Sequence, residues 1–181
     1  MLKKILLGTI ALIVLLIGVI LFRTFTYGGA SAGERVALPD VPAVSADSAA
    51  GHLSEAIRFR TITVASGDPR PGQEGPWLEL HDWLETTYPA AHDAMTRELV
   101  PGTLTLLYTW EGSDTSLDPL LLMAHQDVVP VNIGTESDWT GAPFAGDIVD
   151  GYVYGRGALD DKGSLVALME AADAPAADGF K

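Results

Sequence analysis

The rhythm of hydrophobic and polar positions changes several times along the chain. From Ile5 to Phe22, 18 residues carry no charge and leave no polar face on a helix. Such a helix is roughly 27 Å long, close to the roughly 30 Å hydrocarbon core of a bilayer. The apolar region of a secretory signal is shorter, about 7–15 residues. Lys3 and Lys4 precede the run and Arg23 follows it. This pattern predicts one transmembrane helix over residues 1–23, an uncleaved signal anchor with a cytoplasmic N-terminus and an exported body on the periplasmic or extracellular side. The alternative is a signal peptide cleaved near Ala30-Ser31-Ala32, leaving a secreted body.

Residues 24–49 lose all periodicity. They are rich in Gly, Ala, Ser and Pro and read as a flexible linker. Order is expected to resume near Asp47, where Leu53, Ala56, Ile57 and Phe59 form a helical stripe with Ser45 or Asp47 as its cap. After the loop Gly67–Pro76, a second stripe runs through Trp77, Leu80, Leu84 and Tyr88, with Pro89 just past its end. The period then shortens. ELVPGTLTLLYTW reads as strand on both sides of a Pro-Gly break. LLLMAH, ending at His125, is a continuous apolar run of the kind expected in a strand buried on both faces. DIVDGYVYG is a hairpin with Asp150-Gly151 as a type I′ turn, and a helix is expected over 161–174. Helices and strands in this order predict an α/β domain built as a mixed-sheet sandwich.

Charge sharpens the picture. The formal net charge is −13, but the first 23 residues hold three basic residues and no acid. The remainder has 8 basic and 24 acidic residues, so its formal charge is −16. Such a body repels nucleic acid, and no nucleic-acid partner is expected. There is no cysteine, which excludes disulfides, thiolate metal sites and a cysteine nucleophile.

Two stretches carry candidate chemistry. His125 and Asp127 stand at i and i+2, on one face of an extended chain. A histidine that ligates a metal usually donates its other ring N–H to a carboxylate or carbonyl. A lone histidine at a strand end is more often structural, so this pair is a weak signal alone. In GYVYGRGALDDKGS, a hairpin ends in Gly-Arg-Gly and two aspartates open a helix. Carboxylates there are favoured by the free N–H groups of the first turn, which makes plain capping the simple reading of Asp160 and Asp161. The other is that Asp160 is a hard oxygen ligand able to bridge two cations. The spacing fits neither a dinucleotide fingerprint nor a phosphate-binding loop.

Taken together, the His-x-Asp motif, DWTGAPF with the glycine at 146, and DGYVYGRGALDDKG resemble the M20 family of zinc-dependent metallopeptidases. The similarity is greatest to its carboxypeptidase S-like and N-acyl-amino-acid amidohydrolase branch. It reaches back through AIRFRTIT, HDWLETTYP, LLYTWEGSD and LLMAHQDVVPV and covers roughly residues 50–181. The resemblance implies a zinc-exopeptidase-like fold. His125 matches a histidine that ligates one zinc, and Asp160 the aspartate that bridges two. Asp127, the candidate catalytic side chain, matches a carboxylate that supports the site from outside the ligand set. Asp161 matches a neighbour joined to Asp160 by a cis peptide, and Gly155 and Gly157 allow a tight turn beside the metals. Two zinc ions, replaceable by cobalt or manganese, would activate water against an amide in a peptide or N-acyl amino acid.

The resemblance also implies parts that this sequence does not show. The general base is the first of two adjacent glutamates after the 161–174 helix, and no such pair follows Asp160; Glu170 stands alone in a helical stripe. Residues 50–181 are therefore expected to be the N-terminal portion of a catalytic domain, with any homodimer made through regions not present. Two readings stay open: the front part of a metal-dependent amide hydrolase, or an inactive, membrane-tethered module that binds metal weakly. A glycosidase-like pairing of Asp127 with Asp160 is a third. His52, His81 and His92 are expected at the surface or an interface. Trp77, Trp83, Trp110 and Trp139 are expected in the core or its rim, with Trp139 and Phe144 flanking the site.

Overall fold

The computed structural model describes residues 2–27 and 43–180. The candidate cleavage site at Ala30–Ala32 and most of the predicted linker lie outside these residues. The chain divides into two units, Met1–Asp40 and Val41–Lys181.

The first unit is the helix α1, Leu2–Thr26, with no buried residue. Its threonine hydroxyls are satisfied within the helix: those of Thr9, Thr24 and Thr26 each donate to the carbonyl four residues back. Backbone and hydroxyl groups paired within the helix are what a lipid environment tolerates, and α1 is long and apolar enough to cross a membrane.

In the second unit, α2 spans Ala46–Arg58, and the Ser45 hydroxyl accepts from the Ser48 N–H at its start. Helix α3, Gly75–Thr87, buries Trp77, Leu80 and Leu84 as the stripe predicts. Pro89 does more than follow that helix. It opens α4, Pro89–Ala94, where a missing N–H costs nothing. Helix α5, Lys162–Ala177, runs three residues beyond the expected end. Leu80, Leu84, Tyr88, Ala91 and Met169 form the core between these helices. Each fully buried leucine there contributes about 1.5–3 kcal/mol. The Asp173 carboxylate on α5 accepts from the Ala91 N–H, tying α4 to α5 by a polar contact as well.

Strands β1, Thr96–Leu99, and β2, Leu106–Thr109, pair antiparallel around the Pro-Gly break. Strands β3, Asp147–Val149, and β4, Tyr152–Tyr154, form the second hairpin. Its turn has positive φ at both Asp150 (51°) and Gly151 (82°), the signature of the predicted type I′ geometry. The helices and strands are mixed as expected, but the sheet is not. The described residues form two separate two-stranded antiparallel sheets and one parallel bridge between Ile62 and Val128.

The buried strand expected at LLLMAH is absent. Leu120 to Met123 lie in no strand, with exposures of 83%, 70%, 61% and 78%. Apolarity supplies a preference for burial, whereas a strand also requires a neighbouring backbone to take its N–H and C=O groups. Only from Gln126 onward does this segment meet one.

Candidate metal centre

That meeting decides where His125 and Asp127 point. The Thr61 hydroxyl donates to the Gln126 carbonyl at 2.5 Å, and the Val128 N–H donates to the Thr61 carbonyl at 2.8 Å. The Gln126 side chain turns inward, where its Oε1 meets His81 Nε2 at 2.8 Å and its amide donates to the Leu104 carbonyl. Alternation along extended chain then sends the two flanking side chains to the opposite face. His125 and Asp127 emerge there with side chains 50% and 41% exposed.

The second stretch arrives through a turn packed against α2. A Cβ on Gly155 would lie 2.6 Å from Ile57, and one on Gly157 would lie 2.7 Å from Val128, so neither position admits a side chain. Gly157 also has a φ of 92°, which only glycine adopts readily. The Arg156 N–H donates to the Pro143 carbonyl and the Lys162 N–H to the Gly157 carbonyl, closing the turn. The peptide between Asp160 and Asp161 is cis, in agreement with the resemblance.

These two stretches bring His125 against three acidic residues. Its Nε2 lies 2.9 Å from Asp160 Oδ1. Its Nδ1 faces Asp127, 2.9 Å from the carbonyl and 3.2 Å from the carboxylate. Its backbone N–H donates to the Asp161 carboxylate at 3.2 Å. Burial pulls the imidazole pKa down, but the hydrogen bonds to Asp160 and Asp127 and their charges outweigh it, leaving it above the ordinary value. Both ring nitrogens face acceptors, and only the imidazolium donates from both. Asp127 and Asp160 thus lie on opposite sides of one imidazole, not facing each other across a gap for a sugar.

A cleft of about 250 Å³ opens here, lined by His125, Asp127, Val128, Arg156, Gly157 and Asp160. A second cleft of about 350 Å³ lies beside it, with Trp139 in its wall. The Arg156 guanidinium stacks 4.7 Å over the Trp139 ring, and Arg60 does the same over Phe144. The expectation that both aromatics flank the site agrees with this placement for Trp139.

An imidazole nitrogen and a carboxylate oxygen are donors that zinc accepts, and Asp127 occupies the position that orients a ligating histidine. The pair fits one side of a zinc shell. A zinc site takes three or four protein donors, and among the described residues no group of three His, Cys, Asp or Glu side chains comes together for a metal.

The other histidines lie elsewhere, and one corrects the sequence reading. His81 is 2% exposed, not a surface residue, because it faces the core between Leu80 and Leu84 and finds a partner in Gln126. His52 pairs with Glu170 at 2.5 Å, and Tyr88 donates to the same carboxylate oxygen. His92 bonds the Tyr88 carbonyl and the Tyr108 hydroxyl. Sequence reasoning missed the roles of Gln126, Thr61, His81 and Lys162. Only an internal polar residue between two outward ones, as in His-Gln-Asp, offered a signal.

The profile of Peptidase family M20/M25/M40 matches residues 121–181, the segment that carries all three candidate site residues. Residues 121–181 carry the sequence pattern of the M20 peptidase family. It is 47% identical over 135 residues to carboxypeptidase S of Saccharomyces cerevisiae, covering 71% of this chain and 23% of that protein. It is 38% identical over 120 residues to the human N-fatty-acyl-amino acid synthase/hydrolase PM20D1, covering 66% of this chain and 23% of the relative. The crystal structure of human carnosine dipeptidase 1 superposes with a TM-score of 0.56 at 23% identity, over 75% of this chain and 30% of that one. That likeness is one of fold: the chain shares the fold of the corresponding part of that dipeptidase. The chain spans about a quarter of the length of the curated relatives it matches.

Proposed function

We propose that residues 50–181 supply one part of the metal centre of an M20 amide hydrolase acting on a peptide or an N-acyl amino acid. His125 and Asp160 are the zinc ligands, and Asp127 orients the histidine. The single observation that carries this reading is the 2.9 Å approach of His125 Nε2 to Asp160 Oδ1. Zinc, when bound, would polarise an amide carbonyl and activate water. This chain's own contribution is to present an imidazole nitrogen and a carboxylate oxygen at an open cleft. The imidazole is held from behind by Asp127 and from its own backbone by Asp161. Residues 1–23 serve as the membrane anchor of an exported body, and residues 24–49 as its tether.

Calorimetric titration of zinc into the full chain in detergent micelles tests the reading. Binding is expected to be lost in His125→Ala and sharply weakened in Asp160→Asn. Undiminished zinc binding by His125→Ala would sink it. The second reading, a metal-binding module without catalysis, is favoured by the lack of a fuller donor group among the described residues. Metal-dependent amidase activity from the 181-residue chain would exclude that alternative.

A further inference from the structure

Lys162 has no exposed surface, and none of the ion pairs among the described residues includes it. Its ammonium donates to the carbonyls of Ala56 (2.8 Å) and Phe59 (2.5 Å), where α2 ends. A helix C-terminus is ordinarily capped by glycine or by a solvated basic side chain, with no desolvation cost. Burying an ammonium against neutral carbonyls incurs that cost, so capping alone is a poor account of it.

The segment that Lys162 grips offers a better one. Phe59 O is held by Lys162; two residues on, Thr61 donates its hydroxyl to the Gln126 carbonyl and accepts from the Val128 N–H. Thr63 N–H then donates to the Val128 carbonyl. Phe59–Thr63 is therefore bonded on one side to the residue that follows Asp160 and Asp161. On the other side it is bonded to the residues that bracket Asp127 and follow His125. The lysine stem also runs 3.4 Å from where a Cβ on Gly157 would sit, which fixes the turn from inside.

We propose that Lys162 is a positioning residue. With Thr61, it registers the stretch carrying His125 and Asp127 against the turn carrying Asp160, through the shared segment Phe59–Thr63. The proposal rests on His125 and Asp160 being cation ligands only for its metal readout.

The test compares the full chain in micelles with Lys162→Met, with Thr61→Val, and with Met169→Ala, a core substitution about two turns along α5 from Lys162. Zinc affinity is expected to fall about tenfold or more in the first two, the loss typical when a ligand's supporting partners are removed. Met169→Ala is expected to lower the unfolding temperature while changing zinc affinity by less than about twofold. Parent-like affinity in folded Lys162→Met and Thr61→Val would overturn the proposal, and so would an equal loss in Met169→Ala. If the parent binds no zinc, the ligand reading fails, and ¹⁵N resonances of the His125 ring decide the positioning. The Nε2–H to Asp160 signature should disappear in Lys162→Met and persist in Met169→Ala; its persistence in both would refute the idea. If Lys162→Met does not fold, the isosteric Thr61→Val carries both measurements.

Discussion

His81 offers a direct test of how the site is braced. It is buried, and its Nε2 pairs with Gln126 Oε1. An oxygen acceptor requires that nitrogen to carry the proton, so the neutral ring has its hydrogen on Nε2. Burial lowers its pKa; the hydrogen bond to Gln126 opposes this, and Arg97 adds a smaller repulsion. In the unfolded chain the ring titrates near the ordinary value of about 6.5. The folded state thus takes up its proton later than the unfolded state as pH falls. Stability from the neutral ring is complete above about pH 6.5 and is lost as pH drops towards the depressed folded value. One deferred proton sets a ceiling of about 1.4 kcal/mol per pH unit. Between pH 6.5 and 5.5 that amounts to at most about 1 kcal/mol, since the unfolded ring is only half protonated at the start. His125 is shifted the opposite way and would mask part of the slope. The measurement is therefore a difference: urea unfolding of wild type and His81→Gln, followed by tryptophan fluorescence between pH 7.5 and 5. Glutamine keeps a donor for Gln126 and does not titrate. Wild type is expected to lose stability more steeply than the variant below pH 6.5. Parallel curves would show that His81 is solvated in the native state and that Gln126 is not braced in this way.

Tyr88→Phe removes the hydroxyl that donates to Glu170 at 3.0 Å and is expected to cost about 1.5–3 kcal/mol by denaturant titration, as for bonds to charged groups. Leu84→Ala in the 1%-exposed core position is expected to cost about 2–5 kcal/mol. Gly157→Ala meets Val128 as well as an unfavourable φ, whereas Gly151→Ala meets only the φ; thermal unfolding should place the first well below the second. Asp127→Ala is expected to weaken zinc binding about 10–100-fold in calorimetry, with little change in unfolding temperature, because its side chain is 41% exposed.

The legible parts of the fold were those set by local chemistry. Ser45 as a cap, the stripe of Trp77, Leu80 and Leu84, and the Asp150-Gly151 turn all follow from residues within a few positions of one another. Contacts across the chain were not legible. LLLMAH has the composition of a buried strand, yet composition cannot supply the neighbour that makes it one, and its leucines are exposed. His81 has the spacing of the α3 stripe, but a histidine in such a stripe gives no hint of a glutamine 45 residues away. At the candidate site the motif singled out His125, Asp127 and Asp160, and the structure sets the three side by side. The supports of the site were not legible, since Lys162 looks like an ordinary helix-opening lysine until its ammonium is found against Ala56 and Phe59.

This division has a physical consequence for the site. The candidate ligands are open to solvent, Asp160 most of all at 87%, so side-chain packing does little to hold them. An exposed carboxylate keeps a fixed relation to an imidazole only if both backbones are fixed. Here the backbones are held from the opposite face: Gln126 and Val128 by Thr61, the Gly157 turn by Val128, and Asp161's neighbour by Phe59. Accessibility to a cation and rigidity of the donors are thereby supplied by different atoms. Substitutions on the buried face should accordingly disturb the donors' mutual register, whereas substitutions of the donors themselves should leave the fold intact.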